Sequence, residues 1–301
     1  MELLNNLKEY IAFSDFNDRI AKLFPEDKFE TEVDLHGNVV AKAKHADSAK
    51  KRIMICSLAD TSGIFIKSIK NKKAQFDIIG KLSKESLTDT EIFSDGESVG
   101  IIRSIIKDGK IDSQTLELWD ENYVKTGDFC SLNPEVRCKG DNLYGFGTSR
   151  IICVKIALFL ANKVDTSVND IYFTVSPSEK AAIAAAETLK PDYIYLISPA
   201  EETDNFKSGT GCGIVFKDGG AVIKPEIRNH LTDAAMRAKA PFSVYADKFS
   251  LLPEKLGISG DAPEVGAIYI PVSNINSTTP VINLKDVDSA EKTLLEALNS
   301  R

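Results

Sequence analysis

The chain has 301 residues, of which 43% are hydrophobic and 27% charged, and its formal net charge is −7 at pH 7. A chain of this size and composition can bury a substantial core, as one large domain or as two smaller ones. Because no basic cluster accompanies the negative charge, the composition argues against nucleic acid as a main partner.

Neither a membrane anchor nor a secretory leader is predicted. The longest apolar stretch, 151–161, is interrupted by Lys155 and is too short to cross a bilayer. The first residues lack the basic start and the small-residue cleavage site of a signal peptide. The five cysteines show no CxxC spacing and favour reduced thiols over disulfides or a zinc cluster. The sequence therefore predicts a cytoplasmic protein with no membrane partner.

The N-terminal third predicts helices followed by strands. Residues 1–24 carry apolar side chains at close to helical spacing. Within 33–40, His36-Gly37-Asn38 supplies turn chemistry between β-branched flanks, which predicts a strand, a turn and a second strand. Further strands are predicted at 51–57 and 63–69.

The pattern changes between about residues 71 and 141. Short alternating strands are predicted at 99–102, 115–118 and 128–132, with polar turns between them and no long helical periodicity. Such a segment indicates a small β-barrel or sandwich inserted into a larger domain.

The remainder alternates strands with helices. Residues 148–164 predict a nearly all-apolar helix, a kind usually found inside an α/β fold. The following strands are predicted at 170–176, 192–198, 211–217, 242–246 and 266–271, and the helices at 178–189, 228–239 and 286–299. This alternation predicts a mainly parallel sheet flanked by helices.

Three segments, 56–63, 147–150 and 174–179, resemble in order and surroundings the strand ends of a two-metal aminopeptidase. The stretches 34–39, 124–129 and 280–287 are also similar to that family. The chain thus resembles the di-zinc glutamyl and deblocking aminopeptidases, which build tetrahedral particles and some of which carry a glucanase label. The resemblance implies an aminopeptidase-like α/β domain formed by residues 1–69 and 142–301, with a barrel-like dimerisation domain at 70–141.

In the resembled family, histidine and carboxylate side chains hold two zinc or cobalt ions, and a glutamate acts as general base. The positions that correspond to those side chains here are Leu58, Thr148, Pro177, Ser178, Ser198 and Thr278, the last with Ser277 as its alternative. Leucine and proline cannot bind a metal, and neutral hydroxyls are poor zinc ligands because they seldom ionise. The resemblance therefore implies that this chain has no metal ligands and no general base.

Two residues of the family pattern remain. Asp60 matches the carboxylate that would orient the missing histidine, and Arg150 matches the arginine of the second segment. An orienting carboxylate without its histidine makes no metal site. We therefore interpret Asp60 as a strand-end residue that turns or caps the backbone.

Other candidate groups favour structural roles. His36, His45 and His230 belong to no metal-ligand spacing. The cluster 201–204 contains adjacent carboxylates, which could suggest glycoside hydrolysis, but solvated surface is the favoured interpretation. The glycine-rich segment 208–213 is followed by a strand, whereas a phosphate-binding loop needs a helix there.

Nucleophilic catalysis is also disfavoured. No sequence feature supplies a base for Cys153 or Cys212, so buried and unreactive thiols are expected. Ser178 lies between a strand and a helix but lacks the flanking glycines of a nucleophile elbow.

Three functions stay open, in this order. The first is a non-catalytic aminopeptidase homologue without a cofactor, acting as a peptide-binding or assembly subunit. The second is an active aminopeptidase that hydrolyses N-terminal residues with a non-standard metal site. The third is an unrelated hydrolase on the same scaffold. The expected partners are peptide, further copies of the chain in a dimer or larger oligomer, and an active relative. A measurement of bound metal would distinguish the first function, which has no cofactor, from the second, which has a metal site.

Overall fold

The computed structural model describes residues 7, 16–44, 51–59, 62–133, 136–250, 252–256 and 263–300. The elements before the barrel are α1 (Phe16–Ala21), β1 (Phe29–Val33), β2 (Val39–Ala43) and β3 (Arg52–Leu58). The barrel strands are β4 (Gly63–Lys70), β5 (Lys73–Ile79), β6 (Glu91–Ser94), β7 (Glu97–Lys107), β8 (Lys110–Leu118) and β9 (Phe129–Leu132), with a 3-10 turn at Glu85–Leu87. The later elements are β10 (Arg137–Lys139), β11 (Asn142–Tyr144), α2 (Thr148–Lys163), β12 (Asp170–Ser176), α3 (Glu179–Leu189), β13 (Tyr193–Glu201), β14 (Cys212–Asp218), β15 (Ala221–Val222), α4 (Pro225–Arg237), β16 (Phe242–Asp247), α5 (Leu252–Leu256), β17 (Glu264–Ser273), β18 (Val281–Asn283) and α6 (Leu284–Asn299).

The larger domain is built on one mixed sheet of 12 strands. Strands β12, β3, β13 and β17 lie side by side and run parallel in its centre. On one side β2 joins β12 antiparallel, and on the other β14 and β18 join β17 antiparallel. The prediction of a mainly parallel sheet therefore holds only for the centre. The flanks differ because antiparallel neighbours such as β1 and β2 need only a short turn between them, whereas parallel pairs need a crossover.

The helices cover the sheet as the apolar pattern predicts. Helix α2 packs on β3 and β12 and also contacts α6, which in turn contacts α4. Its residues 151–154 are all buried, which explains why this helix has no polar face. Ring contacts join Phe24, which follows α1, with Phe29 of β1 and Phe173 of β12. The ring centroids of Phe29 and Phe173 are 5.5 Å apart. Among the described helices, none is long and apolar enough to cross a membrane.

The second unit is a closed barrel of six strands, in the order β4, β5, β8, β7, β6 and β9. It has its own apolar core, which includes Ile64, Ile92 and Leu116. The sequence is compatible with either a barrel or a sandwich, and the structure has a barrel.

The barrel strands lie between residues 63 and 132, so both boundaries come earlier in the chain than the predicted 70 and 141. The sequence places β4 in the α/β domain, but in the structure it pairs with β5 and β9 inside the barrel. Strand β10 lies within the predicted insert, but it pairs with β11, which lies in the predicted α/β domain and pairs with β18 of the large sheet. The domain to which each strand belongs depends on hydrogen bonds to strands far away in the chain. The local periodicity of the sequence does not reveal these partners.

A glycine-rich loop before β14 depends on one close backbone approach. Gly211 has φ +100°, and a Cβ there would lie 1.9 Å from the carbonyl oxygen of Pro241. Gly109, in the turn between β7 and β8, has φ +73° with nothing within 4 Å of its Cβ position. Alanine at either site adopts a left-handed conformation at a cost of about 1–2 kcal/mol. Only Gly211→Ala adds a steric clash, of about 1–3 kcal/mol.

We therefore expect Gly211→Ala to lower the free energy of unfolding more than Gly109→Ala does. Urea unfolding of the two variants beside the parent chain measures the difference. Equal losses in the two variants would show that the loop can move away from residue 241.

Candidate functional site

A cleft of about 1070 Å³ lies between the barrel and the carboxyl ends of the central strands. The barrel contributes Lys81, Phe93 and Phe129 to its lining, and the α/β domain contributes Leu58 and Ser198. Ligands of α/β proteins bind outside the carboxyl ends of the sheet strands. This cleft is therefore the candidate functional site.

The structure brings most of the sequence-predicted site positions into this one cleft. Leu58, Pro177, Ser178 and Ser198 all line it, although they come from three different strand ends. Ser277 also lines the cleft, whereas its neighbour Thr278 does not belong to the lining. Thr148 is fully buried and does not line the cleft.

We call Leu58, Pro177, Ser178 and Ser198 the cleft floor. None of these four side chains is a good metal ligand. Leu58, the last residue of β3, is 6% exposed and has no lone pair, and Pro177 has none on its side chain either. The hydroxyl of Ser178 caps α3, where Oγ accepts a hydrogen bond from the backbone N–H of Ala181 at 3.2 Å. The hydroxyl of Ser198 is buried and donates to the carbonyl oxygen of residue 199 at 3.0 Å.

The hydroxyls of two further predicted positions, Thr148 and Ser277, also donate to backbone carbonyl groups. Thr148 Oγ1 donates to the carbonyl oxygen of Gly145 at 2.5 Å. Ser277 Oγ donates to the carbonyl oxygen of Asn274 at 2.8 Å. Within the described ranges, no group of three or more His, Cys, Asp or Glu side chains is placed to hold a metal ion. The side chains that the structure describes at this cleft do not fit the two metal ions that the resemblance implies.

The retained arginine makes a structural contact. The guanidinium carbon of Arg150 lies 3.5 Å from the centroid of the Phe16 ring, so α1 is held against the start of α2. Such a cation–π contact contributes about 0.5–2 kcal/mol. Arg150 also lines the cleft. Asp60, the other retained position, lies outside the described residues.

The cleft lining includes three lysines that sequence reasoning did not single out. Lys81, Lys180 and Lys255 all line the cleft, and Glu179 lies among them. Lys255 Nζ is 3.3 Å from Glu179 Oε2. No local pattern could have grouped these lysines, because each lies in a different element or loop of the fold.

The two histidines that the structure describes do not line the cleft. His36 is exposed in the turn between β1 and β2. His230 Nε2 lies 2.9 Å from the carbonyl oxygen of Ala297, a contact that joins α4 to α6. His45 falls outside the described residues.

All five cysteines are free, and four are buried. Burial raises the pKa of the Cys56 and Cys212 thiols to about 11. Burial also raises the pKa of Cys153. Because the thiolate is the nucleophile, these buried thiols are unreactive near neutral pH.

The amides of the glycine-rich loop bind carboxylates of the chain itself. The N–H groups of Gly209 and Gly211 each donate to Asp286 at 2.7 Å, and that of Ser208 donates to Glu202 Oε1 at 2.7 Å. Burial raises the pKa of Asp286 to about 6. Glu202 also accepts from the hydroxyl of Ser273 at 2.6 Å, so it is a half-buried structural group, which differs from the solvated surface residue predicted for its cluster.

A family model described as M42 glutamyl aminopeptidase matches residues 103–293, more than half of the chain. The chain belongs to the M42 glutamyl aminopeptidase family. A candidate aminopeptidase of Acetivibrio thermocellus is 22% identical to this chain over an alignment of 298 residues. The match covers 89% of this chain and 88% of that protein.

Solved structures show that the M42 fold is kept over nearly the whole chain. An aminopeptidase of the archaeon Desulfurococcus kamchatkensis superposes with a TM-score of 0.87 at 19% identity, covering 98% of this chain and 94% of that one. The TET1 peptidase of Pyrococcus horikoshii superposes with a TM-score of 0.82 at 17% identity, covering 98% of each chain. This M42 protein therefore combines the family fold with a cleft floor made of leucine, proline and serine.

Proposed function

We propose that this protein is a non-catalytic M42 homologue that binds peptide in the cleft and holds no metal cofactor. The observation that carries the proposal is that Leu58, Pro177, Ser178 and Ser198 line one cleft. The family resemblance in the sequence implies metal ligands and a general base at these positions. A metal pair activates water, polarises the peptide carbonyl and stabilises the tetrahedral intermediate. A positioned base removes the proton from the attacking water. The floor offers neither an ionised ligand nor a base for these steps.

The shape of the cleft supports a peptide as ligand. Its volume of about 1070 Å³ is at the upper end of the roughly 300–1,000 Å³ that is typical of ligand pockets. Aromatic side chains line it beside polar ones, and they are Phe93, Phe129, Phe146 and Phe249. A cleft of this size with both apolar and polar lining suits a peptide of a few residues.

Metal analysis tests the proposal. The protein is dialysed against excess zinc or cobalt, then against buffer, and its metal content is measured by elemental analysis. We expect less than one retained ion per chain. Glu179→Gln serves as the matched variant, since Glu179 is the carboxylate nearest the former base position along the chain and lines the cleft. One or two ions held by the parent chain and lost in this variant would favour an active aminopeptidase with a non-standard metal site.

Assembly is part of the proposal. The TET1 peptidase of Pyrococcus horikoshii is described as assembling into a tetrahedron or a large octahedral shell. In this chain the barrel exposes large apolar side chains, with Ile105 at 57%, Ile106 at 63% and Tyr123 at 57% of full exposure. A homodimer or larger particle with two-fold contacts through the barrel would cover them, and an active relative could take the place of one copy.

We expect a dimer or larger species for the intact chain in light scattering. The double variant Ile105→Lys/Ile106→Lys is expected to shift it towards monomer, because two buried ammonium groups would oppose the contact. Val222→Lys is the control, since Val222 is 66% exposed on the large sheet and away from the barrel. A monomeric parent chain at tens of micromolar would contradict the assembly role and leave a solitary peptide-binding protein.

A further inference from the structure

Three buried polar side chains lie on one face of the large sheet. Thr174 and Ser176 are two residues apart in β12, and Asn38 directly precedes β2. All three residues are fully buried. Alternate residues of a strand point to the same face, so Thr174 and Ser176 lie on one side of the sheet. Thr174 pairs with Val40 of β2, and Asn38 lies two residues before Val40, so Asn38 belongs to the same face.

Two hydrogen bonds fix the orientation of the Asn38 amide. Its Nδ2 donates to Asp34 Oδ2 at 2.7 Å and to the carbonyl oxygen of Ala181 in α3 at 3.0 Å. Both partners are acceptors, so the amide nitrogen must face them and the amide oxygen Oδ1 points elsewhere. The bond to Ala181 also shows that α3 covers this face, since α3 packs against both β12 and β3.

Three polar atoms on this face have no hydrogen-bond partner among the described residues. They are Asn38 Oδ1, Thr174 Oγ1 and Ser176 Oγ. Burial of an unsatisfied polar group costs free energy, so native proteins pair nearly all such atoms with protein groups or with ordered water. A small shift could accommodate one such atom, whereas three on one face indicate a shared partner.

A thiol belongs to the same group. Cys56 of β3 pairs with Thr174 across the parallel ladder and is fully buried, which places its side chain on the same face. Burial raises the pKa of Cys56 to about 11, and the hydroxyls of Thr174 and Ser176 act in the opposite direction, so both lie near the sulfur. Neither hydroxyl forms a hydrogen bond of ordinary length with it. We call Asn38, Cys56, Thr174 and Ser176 the buried polar cluster.

The chemistry of the buried polar cluster suits water. Asn38 Oδ1 can only accept a hydrogen bond, whereas the two hydroxyls can donate or accept and the thiol is a weak donor. None of the four side chains is ionised at neutral pH, so a buried ion would have no counter-charge in the cluster. A buried water molecule typically makes about three hydrogen bonds to polar groups that are otherwise unsatisfied.

We infer that the buried polar cluster binds an ordered water molecule, which donates to Asn38 Oδ1 and forms hydrogen bonds with the hydroxyls of Thr174 and Ser176. This water connects the turn before β2 with the end of β12 beneath α3. Ser176 is followed in the chain by Pro177 and Ser178 of the cleft floor, so the water supports that part of the floor. The inference does not depend on what the cleft binds.

A high-resolution crystal structure of the parent chain tests the inference directly. We expect a density peak about 2.5–3.0 Å from Asn38 Oδ1 and within hydrogen-bond distance of at least one of the two hydroxyls. The absence of a peak at this place would overturn the inference. A peak surrounded by oxygen atoms at about 2.3–2.6 Å would show a metal ion and would overturn it as well.

Removal of the two hydroxyls gives a second test, in which the sign of the effect decides. Thr174→Val/Ser176→Ala leaves the water with too few partners and leaves Asn38 Oδ1 unsatisfied. The equilibrium constant for unfolding, measured in urea, is therefore expected to rise about fivefold or more. If no water were bound, the variant would remove two unsatisfied polar groups from the core, and the constant would fall.

Ser57→Ala is the matched control. Ser57 Oγ is also buried and has no partner among the described residues. Ser57 pairs with Val175, however, so it points to the opposite face of the sheet from Thr174 and is not part of the buried polar cluster. We expect no rise in the unfolding constant for Ser57→Ala, and circular dichroism checks that each variant is folded. An equal rise in both variants, or a fall in the double variant, would contradict the bound water.

Discussion

No release of amino acids from short acidic or neutral peptides is expected from this protein, with or without added zinc or cobalt. Electrostatic stabilisation by bound ions and proton transfer by a positioned base supply most of a hydrolase's rate enhancement. The cleft floor around Leu58 and Ser178 supplies neither. We therefore expect a turnover below about 0.1 per second, against a usual enzyme median of about 10 per second.

The assay needs a control for contaminating peptidases. Glu179→Gln removes the charge of a carboxylate that lines the cleft and binds Lys255 and Ser250. A contaminant would give the same rate with the parent chain and with this variant. A metal-dependent turnover above the stated limit that disappears in Glu179→Gln would show a working site and overturn the proposed function.

Breaking the ion pair between α2 and α6 is expected to have the largest effect on stability. Lys155 binds Glu291, and their side chains are 21% and 6% exposed. Burial raises the pKa of Glu291 although Lys155 acts in the opposite direction. Lys155→Met would leave this carboxylate buried without its partner, at a cost of about 3–5 kcal/mol in the free energy of unfolding.

The double variant Lys155→Met/Glu291→Leu is the matched comparison. Replacing both charges by apolar groups of similar volume is often neutral, so most of the lost stability should return. Urea unfolding of the two single variants and the double variant gives the coupling energy. A loss below about 1 kcal/mol in Lys155→Met would show that solvent screens the pair as it does at an exposed site.

Much of the secondary structure could be predicted because local patterns report which face of an element is buried. The strand at 170–176 has the predicted bounds, and the helix predicted at 148–164 extends over Thr148–Lys163. Helix α4 begins at Pro225, before the predicted residue 228, because proline at the first helical position needs no N–H partner. Strand β13 continues past the predicted end at 198, because its later residues pair with β17.

The sequence by itself determined the order of the helices and strands, the resemblance to the glutamyl aminopeptidase family and the residue types of the cleft floor. Leu58 and Pro177 have no side-chain lone pair in any fold, so covalent structure alone excludes them as ligands. Only the tertiary structure decided the mixed strand directions, the barrel boundaries and which distant lysines line the cleft. Lys81 and Lys255 lie far apart in the chain and line one cleft after folding. Strand pairing and charge proximity depend on long-range contacts, and a local pattern carries no information about them.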